Sequence, residues 1–209
     1  MIVLDIATRL QIPIRVLTLD TGRLPEETFA MMEAIRSRYG VNVETIFPDP
    51  GETERMVAIH GPNLFYRDYP SRILCCQVRK VRPLTKKTSG IHAIFTGLRR
   101  EQSHERESIE QVDESGTPVK INPLAHWSNE EVDSYTTAHK LPVHPLYMKG
   151  YTSIGCAPCT RATAPGDDPR AGRWWWETEG GKECGIHFTP DGRAQRTVDV
   201  MLDEIVHHG

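Results

Sequence analysis

IRVLTLDTGRLPEETF (Ile14–Phe29) is the stretch from which the fold follows. Ile14 to Leu19 is a short apolar run that reads as a buried strand. DTGR then forms a loop around Gly22, and Pro25 falls in the first turn of a helix whose Glu26 and Glu27 complement the positive end of the helix dipole. That helix should reach Tyr39 and stop at Gly40. Val41 to Phe47 (VNVETIF) gives a second strand.

The same alternation continues on both sides. Ile2, Ile6, Ala7 and Leu10 recur at helical spacing, Thr53 to Ile59 reads as helix, and a helix through Cys75 and Lys87 leads to a third strand at His92–Leu98. Strands alternating with helices predict the α/β class, with a parallel sheet flanked by helices. Ile109–Val112 and Val119–Ile121 are expected as short edge strands around Glu114-Ser115-Gly116. Ser128 with Glu131 forms a capping box that opens a helix through Tyr135 to His139. Beyond Lys140 the pattern breaks: Leu141–Phe188 holds five prolines, seven glycines, three consecutive tryptophans and three of the five cysteines, without clear periodicity. It reads as an irregular, ligand-rich tail and not as a second domain with its own core. His207-His208 reads as a solvated C-terminus.

The 209 residues carry 25 Lys and Arg against 28 Asp and Glu, a net charge of -3, which argues against a surface devoted to nucleic acid. No apolar run approaches the roughly 18 residues of a membrane helix, and Asp5 and Arg9 interrupt the opening segment where a signal peptide would be apolar, so a cytoplasmic protein is expected. Five unevenly placed cysteines do not make a secreted disulfide scaffold; metal ligands and a reactive thiol are the better reading.

Cys75-Cys76 and the pair in IGCAPCTR, Cys156 and Cys159, bring four thiols that can converge on one centre. A directly adjacent pair sits more naturally on two irons of a cluster than on one zinc, although a four-cysteine zinc site and unligated thiols remain alternatives. Cys184 stands apart in GGKECGIHF, among glycines and beside Lys182, where a cation favours thiolate and Glu183 opposes it; this is the candidate nucleophile.

Positive charge is concentrated between Arg79 and Arg100, with seven Lys or Arg and no acid, leaving 18 basic against 28 acidic residues elsewhere. Arg99-Arg100 follows a strand end, where ligands of open α/β sheets bind, and guanidinium forks match phosphate or sulfate oxygens. Lys80 lies one helical turn after Cys76, and Arg170 and Arg173 are placed to contribute from the tail. Trp174-Trp175-Trp176 is more readily packing than a base-stacking platform.

Seven stretches, LTLDTGRLPEET, CCQVRKVRPL, TGLRREQS, PLAHWSNEEVDSY, GYTSIGCAPCTR, GRWWWE and KECGIH, together resemble the assimilatory adenylyl-sulfate reductases, the iron-sulfur branch of the adenylyl-sulfate and phosphoadenylyl-sulfate reductase family. The resemblance spans nearly the whole chain. It implies an adenine nucleotide α-hydrolase-like fold, with residues 1–140 as a nucleotide-binding α/β domain and 141–209 completing the metal centre and carrying the catalytic tail. It further implies a 4Fe-4S cluster on Cys75, Cys76, Cys156 and Cys159, and attack by Cys184 on adenylyl sulfate in cysteine biosynthesis, with thioredoxin or glutaredoxin as electron donor. Thr21, Gly22 and Arg23 match the family's nucleotide loop, and Lys80, Arg99, Arg170, Arg173 and His187 match positions around substrate or cluster. The resemblance is compatible with a homo-oligomer and implies neither nucleic acid nor membrane as partner.

One departure is expected to matter. The family has a first strand and a Ser-rich phosphate loop before a run similar to Met1-Ile2-Val3-Leu4, so Met1 aligns with an internal methionine and those two features are expected to be missing from this sequence. The competing readings are a phosphoadenylyl-sulfate reductase, a cluster-bearing tRNA thiolation enzyme, and an inactive truncated form serving only as an iron-sulfur protein.

Overall fold

The computed structural model describes residues 1–177 and 192–207. Its first unit is the one expected from Ile14–Phe29. Strand β1 (Val16–Leu19) leads into helix α2 (Glu26–Tyr39), which follows the N-terminal helix α1 (Ile2–Arg9). Gly40 ends α2 in the left-handed conformation at φ 62°, where its N–H donates to the Arg36 carbonyl, and the chain returns as β2 (Val43–Ile46). β1 and β2 pair in parallel, with Val16 opposite Val43 and Leu19 opposite Ile46.

The remaining strands form a second sheet. β5 (Val119–Ile121) lies at its centre, with β3 (Ala93–Phe95) parallel on one side and β4 (Val112–Asp113) antiparallel on the other. The expectation of β5 as an edge strand is therefore corrected. β4 and β5 are joined by a short turn, which only an antiparallel pair permits, whereas β3 reaches β5 from a distance and runs parallel to it. The Asp113 carboxylate fixes the turn by accepting from the Ser115 N–H at 3.0 Å, and its pKa is lowered to about 2, chiefly by the Ser115 hydroxyl and backbone, with Lys120 assisting. Among the described residues the five strands thus divide between two sheets, in place of the single sheet expected.

Helix α3 (Pro50–His60) is capped by Asp49, which accepts from the Glu52 N–H. Helix α4 (Tyr69–Cys76), capped by Asp68, continues through a π-helical turn (Gln77–Val81) into α5 (Arg82–Thr88). Pro83 gives this turn a cause: a proline ring clashes with the carbonyl four residues earlier, here that of Arg79, and has no N–H for it. Widening the helix by one residue relieves the clash. Helix α6 (Asn129–Ala138) opens with the reciprocal Ser128–Glu131 capping box read from the sequence.

Helix α7 (Gly192–His207) was not expected. Val198, Met201, Leu202 and Ile205 recur at intervals of three and four residues, the signature of one apolar helix face. Val198 and Ile205 are fully buried, Met201 and Leu202 pack on the core, and Arg55 donates to the Ile205 carbonyl. The main core joins Met56 of α3, Leu74 and Val78 of the long helix, Ile205, Trp174 and all four paired cysteines. A smaller core packs Ile2 against Leu124 and Leu141, and there the Asp5 carboxylate accepts from the Tyr39 and Tyr135 hydroxyls at 3.0 and 2.9 Å. No helix among the described residues is long and apolar enough to cross a membrane.

Two outcomes test this packing. Ile205→Ala is expected to lower unfolding free energy by about 2–5 kcal/mol, measured by denaturant titration, because it opens a cavity under α7. Asp113→Asn is expected to lower the denaturation midpoint at pH 7. Because the folded pKa is depressed, that loss should shrink as pH falls from the unfolded value of 3.8 towards about 2, where wild type and variant converge.

Candidate functional site

The loop at the C-terminal end of β1 is the hub of the site. Asp20 accepts from the Gly22 N–H at 2.8 Å, which folds the loop, and Gly22 supplies the left-handed φ of 70° that the turn needs. Thr21 is buried and meets two other elements. Its carbonyl accepts from Nη1 of Arg79 at 2.8 Å, and its hydroxyl lies 3.2 Å from Sγ of Cys156. The Arg23 carbonyl accepts from the Ala157 N–H at 2.8 Å, so the strand-end loop holds the segment with the second cysteine pair directly.

That segment is braced from behind. The Cys159 N–H donates to the Cys156 carbonyl at 2.9 Å, and the Thr160 hydroxyl donates to the same carbonyl at 3.0 Å. Thr160 bridges to Arg173, and the Trp174 N–H reaches the Cys159 carbonyl at 3.3 Å. The buried Arg173 guanidinium lies on the backbone of Gly155, where an added Cβ would stand only 2.7 Å from Cζ. Glycine before Cys156 therefore reflects close approach and not only a turn.

Cys75 and Cys76, at the end of α4, and Cys156 and Cys159 line one pocket, and each is 6–8% exposed. Arg23, Arg72, Arg79 and Lys80 line the same pocket. Burial pushes the Cys75 thiol up and the Cys159 thiol up to about 12, the latter also through repulsion from Cys156, with Lys80 among the groups opposing the rise. Thiols so placed become thiolates when a metal replaces their protons.

This soft, all-sulfur donor set fits a thiolate-ligated metal group, and the surrounding cations offset its negative charge. Among the described residues no group of three or more His, Cys, Asp or Glu side chains is arranged to hold a metal ion, so the fit rests on the donor chemistry of the shared pocket.

The remaining candidates divide into three groups. Thr21, Gly22, Arg23 and Lys80 come together at the pocket, and Arg173 adjoins it through Gly155. Arg170 approaches from the same side, sharing the Ser153 hydroxyl with Arg173 at 3.5 and 3.3 Å. Arg99 lies elsewhere: its guanidinium donates to the Trp127 carbonyl at 3.0 Å and to Asn129 at 2.7 Å, and it does not line the cysteine pocket. Cys184, Lys182 and His187 lie outside the described residues.

Sequence reading passed over Arg72. It sits three and four residues before Cys75 and Cys76, on the same helix face, and that spacing was the available signal. Trp174 packs the tail as expected; it is fully buried, with the guanidinium of Arg72 4.2 Å and that of Arg173 4.5 Å from its ring.

An α/β fold with a cationic thiol pocket at a strand end is the setting of an enzyme acting on a nucleotide or oxyanion. Residues 1–162 match the phosphoadenosine phosphosulfate reductase domain, and the chain belongs to that family. An adenosine 5′-phosphosulfate reductase of Burkholderia cepacia is 47% identical over 180 residues, covering 85% of this chain and 72% of its own length. A protein of the same name from Allochromatium vinosum is 46% identical over 189 residues, covering 90% and 74%. A phosphoadenylyl-sulfate reductase from Candida auris, solved as a phosphate complex, superposes with a TM-score of 0.63 at 25% identity over 75% of each chain. The fold is accordingly adenine nucleotide α-hydrolase-like, as expected.

Gly155→Ala is expected to displace Arg173 and to destabilise the protein by about 1–3 kcal/mol, read from the denaturant midpoint, since the added Cβ overlaps a buried guanidinium that would have to leave Ser153 and the Ile154 carbonyl.

Proposed function

We propose that this chain is an assimilatory adenylyl-sulfate reductase that forms sulfite and AMP through a covalent intermediate on Cys184. The reading is carried by one observation: the two cysteine pairs, 79 residues apart in sequence, share one buried, cation-lined pocket at the end of β1. The relatives bearing the name adenosine 5′-phosphosulfate reductase support adenylyl sulfate over its 3′-phosphorylated form as substrate.

Cys75, Cys76, Cys156 and Cys159 would hold a 4Fe-4S cluster. When bound, such a cluster supplies a fixed, polarisable block of charge beside the anion site. Lys80, Arg170 and Arg173 orient the sulfate and phosphate oxygens and offset their charge as a thiolate approaches. Thr21, Gly22 and Arg23 bind the nucleotide at the strand end. His187 completes the substrate contacts, whereas Arg99, engaged by Trp127 and Asn129 away from the pocket, is given none.

The Cys184 thiolate attacks the sulfur of adenylyl sulfate. The bond from sulfur to the bridging phosphate oxygen breaks, AMP leaves with that electron pair, and Cys184 carries an S-sulfo group. A thiolate of thioredoxin or glutaredoxin then attacks Sγ of Cys184 and expels sulfite. A second donor thiol resolves the mixed disulfide, which leaves the donor oxidised and Cys184 free. Residues 1–140 form the nucleotide-binding part in this scheme, 141–209 complete the metal centre and carry the nucleophile, and the reaction is cytoplasmic.

The deciding measurement is intact mass of anaerobically purified protein after exposure to adenylyl sulfate. A single sulfonate adduct is expected, absent in Cys184→Ser and slower to form with the 3′-phosphorylated substrate. An adduct that persists in Cys184→Ser would remove that residue as nucleophile, and faster reaction with the 3′-phosphorylated form would reverse the substrate assignment.

A further inference from the structure

Arg72, like Arg79, is a pocket cation that the proposed chemistry does not use. Its side chain is fully buried, and Nε donates to Oε1 of Glu177 at 2.6 Å, with the Glu177 side chain only 7% exposed. Its guanidinium also lies between two rings, 4.9 Å from the centroid of Tyr69 and 4.2 Å from that of Trp174. Such an ion pair is a poor source of net stability, because both charges lose their water. What it fixes strongly is relative position, since a buried guanidinium held by a short hydrogen bond to one carboxylate oxygen and set over an aromatic face has little freedom to turn.

The two ends of this contact belong to different halves of the cysteine set. Arg72 is on α4, one helical turn before Cys75 and Cys76. Trp174 and Glu177 belong to the turn-rich segment that braces Cys156 and Cys159: the Trp174 N–H donates to the Cys159 carbonyl, and the Glu177 N–H donates to the Trp174 carbonyl at 2.9 Å. The Thr21 loop links the halves on one side, through Arg79 and Cys156, and the Arg72 contact links them on another.

We propose that Arg72, held by Glu177 and Trp174, is a positioning residue that sets the register of Cys75-Cys76 against Cys156 and Cys159, and so fixes how firmly the four thiols hold their metal group. The inference rests on the cofactor reading above, and concerns retention of the group, not turnover. Loss of groups that orient metal ligands typically weakens affinity about 10–100-fold.

The test compares full-length wild type, Glu177→Gln and Arg72→Met, each reconstituted anaerobically with iron and sulfide. Iron content, the visible charge-transfer absorption and the rate of iron loss to a chelator are measured well below the unfolding temperature of the metal-free protein. Both variants should lose iron roughly tenfold faster than wild type and show an altered visible spectrum. Glu177→Asp, which keeps the charge at shorter reach, should fall between, and it decides the matter if the other variants do not fold. Wild-type rates and spectra in the variants, with only a lowered unfolding temperature, would reduce the pair to a structural contact and overturn the proposal. If wild type takes up zinc instead of iron and sulfide, the cofactor reading fails, while the same comparison of zinc release still decides the role of Arg72. Uptake of neither would overturn both.

Discussion

The contact on which the rest of the site depends is made by one small residue. Thr21 gives its carbonyl to Arg79 and sets its hydroxyl against Cys156, so the end of β1 joins the helix behind one cysteine pair to the loop bearing the other. Loop closure across 79 residues is costly in entropy, and a rigid intermediary lessens the disorder left to suppress. Because the strand is parallel-paired and its loop is tied back on Asp20, that intermediary is held by contacts independent of either cysteine pair. The nucleotide-type fold and the thiol pocket are thus not separate modules: one strand end serves both.

Burial supplies the second constraint. Arg72, Arg79, Arg170 and Arg173 are all nearly inaccessible, which is costly unless most of their donors are engaged. Carbonyls, the Ser153 hydroxyl, one carboxylate and the face of Trp174 engage them here, while Nε of Arg79 and of Arg173 has no hydrogen-bond partner, and cationic charge is thereby held against a soft sulfur set. Such charge acts more strongly than the same charge on exposed lysines, because water does not screen it and nothing must reorganise.

Much of this was legible in the residues. The βαβ unit from Val16 to Ile46 followed from apolar runs bounded by Gly22, Pro25 and Gly40, and the Ser128 box marked its helix start. The cysteine spacing announced a common centre. The division of strands between two sheets was not legible, because three-residue strands such as β3 and β5 carry no periodicity that names their neighbours. Helix α7 was legible from Val198 and Ile205 but was masked by the glycine-rich run before it. Arg72 escaped because a charged residue in a helix is ordinarily solvated, and only the arrival of Glu177 from 105 residues away makes it a core group.

The π-helical turn before Pro83 acts as a phase setter. Each residue of an α-helix advances the side chains by about 100°, so absorbing one extra residue decides which way everything beyond it points. Beyond it, Arg82 grips Glu52 with two hydrogen bonds of 2.9 and 2.6 Å, and Lys87 meets Glu44 at 3.1 Å on β2. Those two anchors and the cysteine pair before the turn can be satisfied together only at one angular offset. Proline in the middle of a long helix, ordinarily a fault, here keeps the thiol-bearing and sheet-facing halves of a single rod in step.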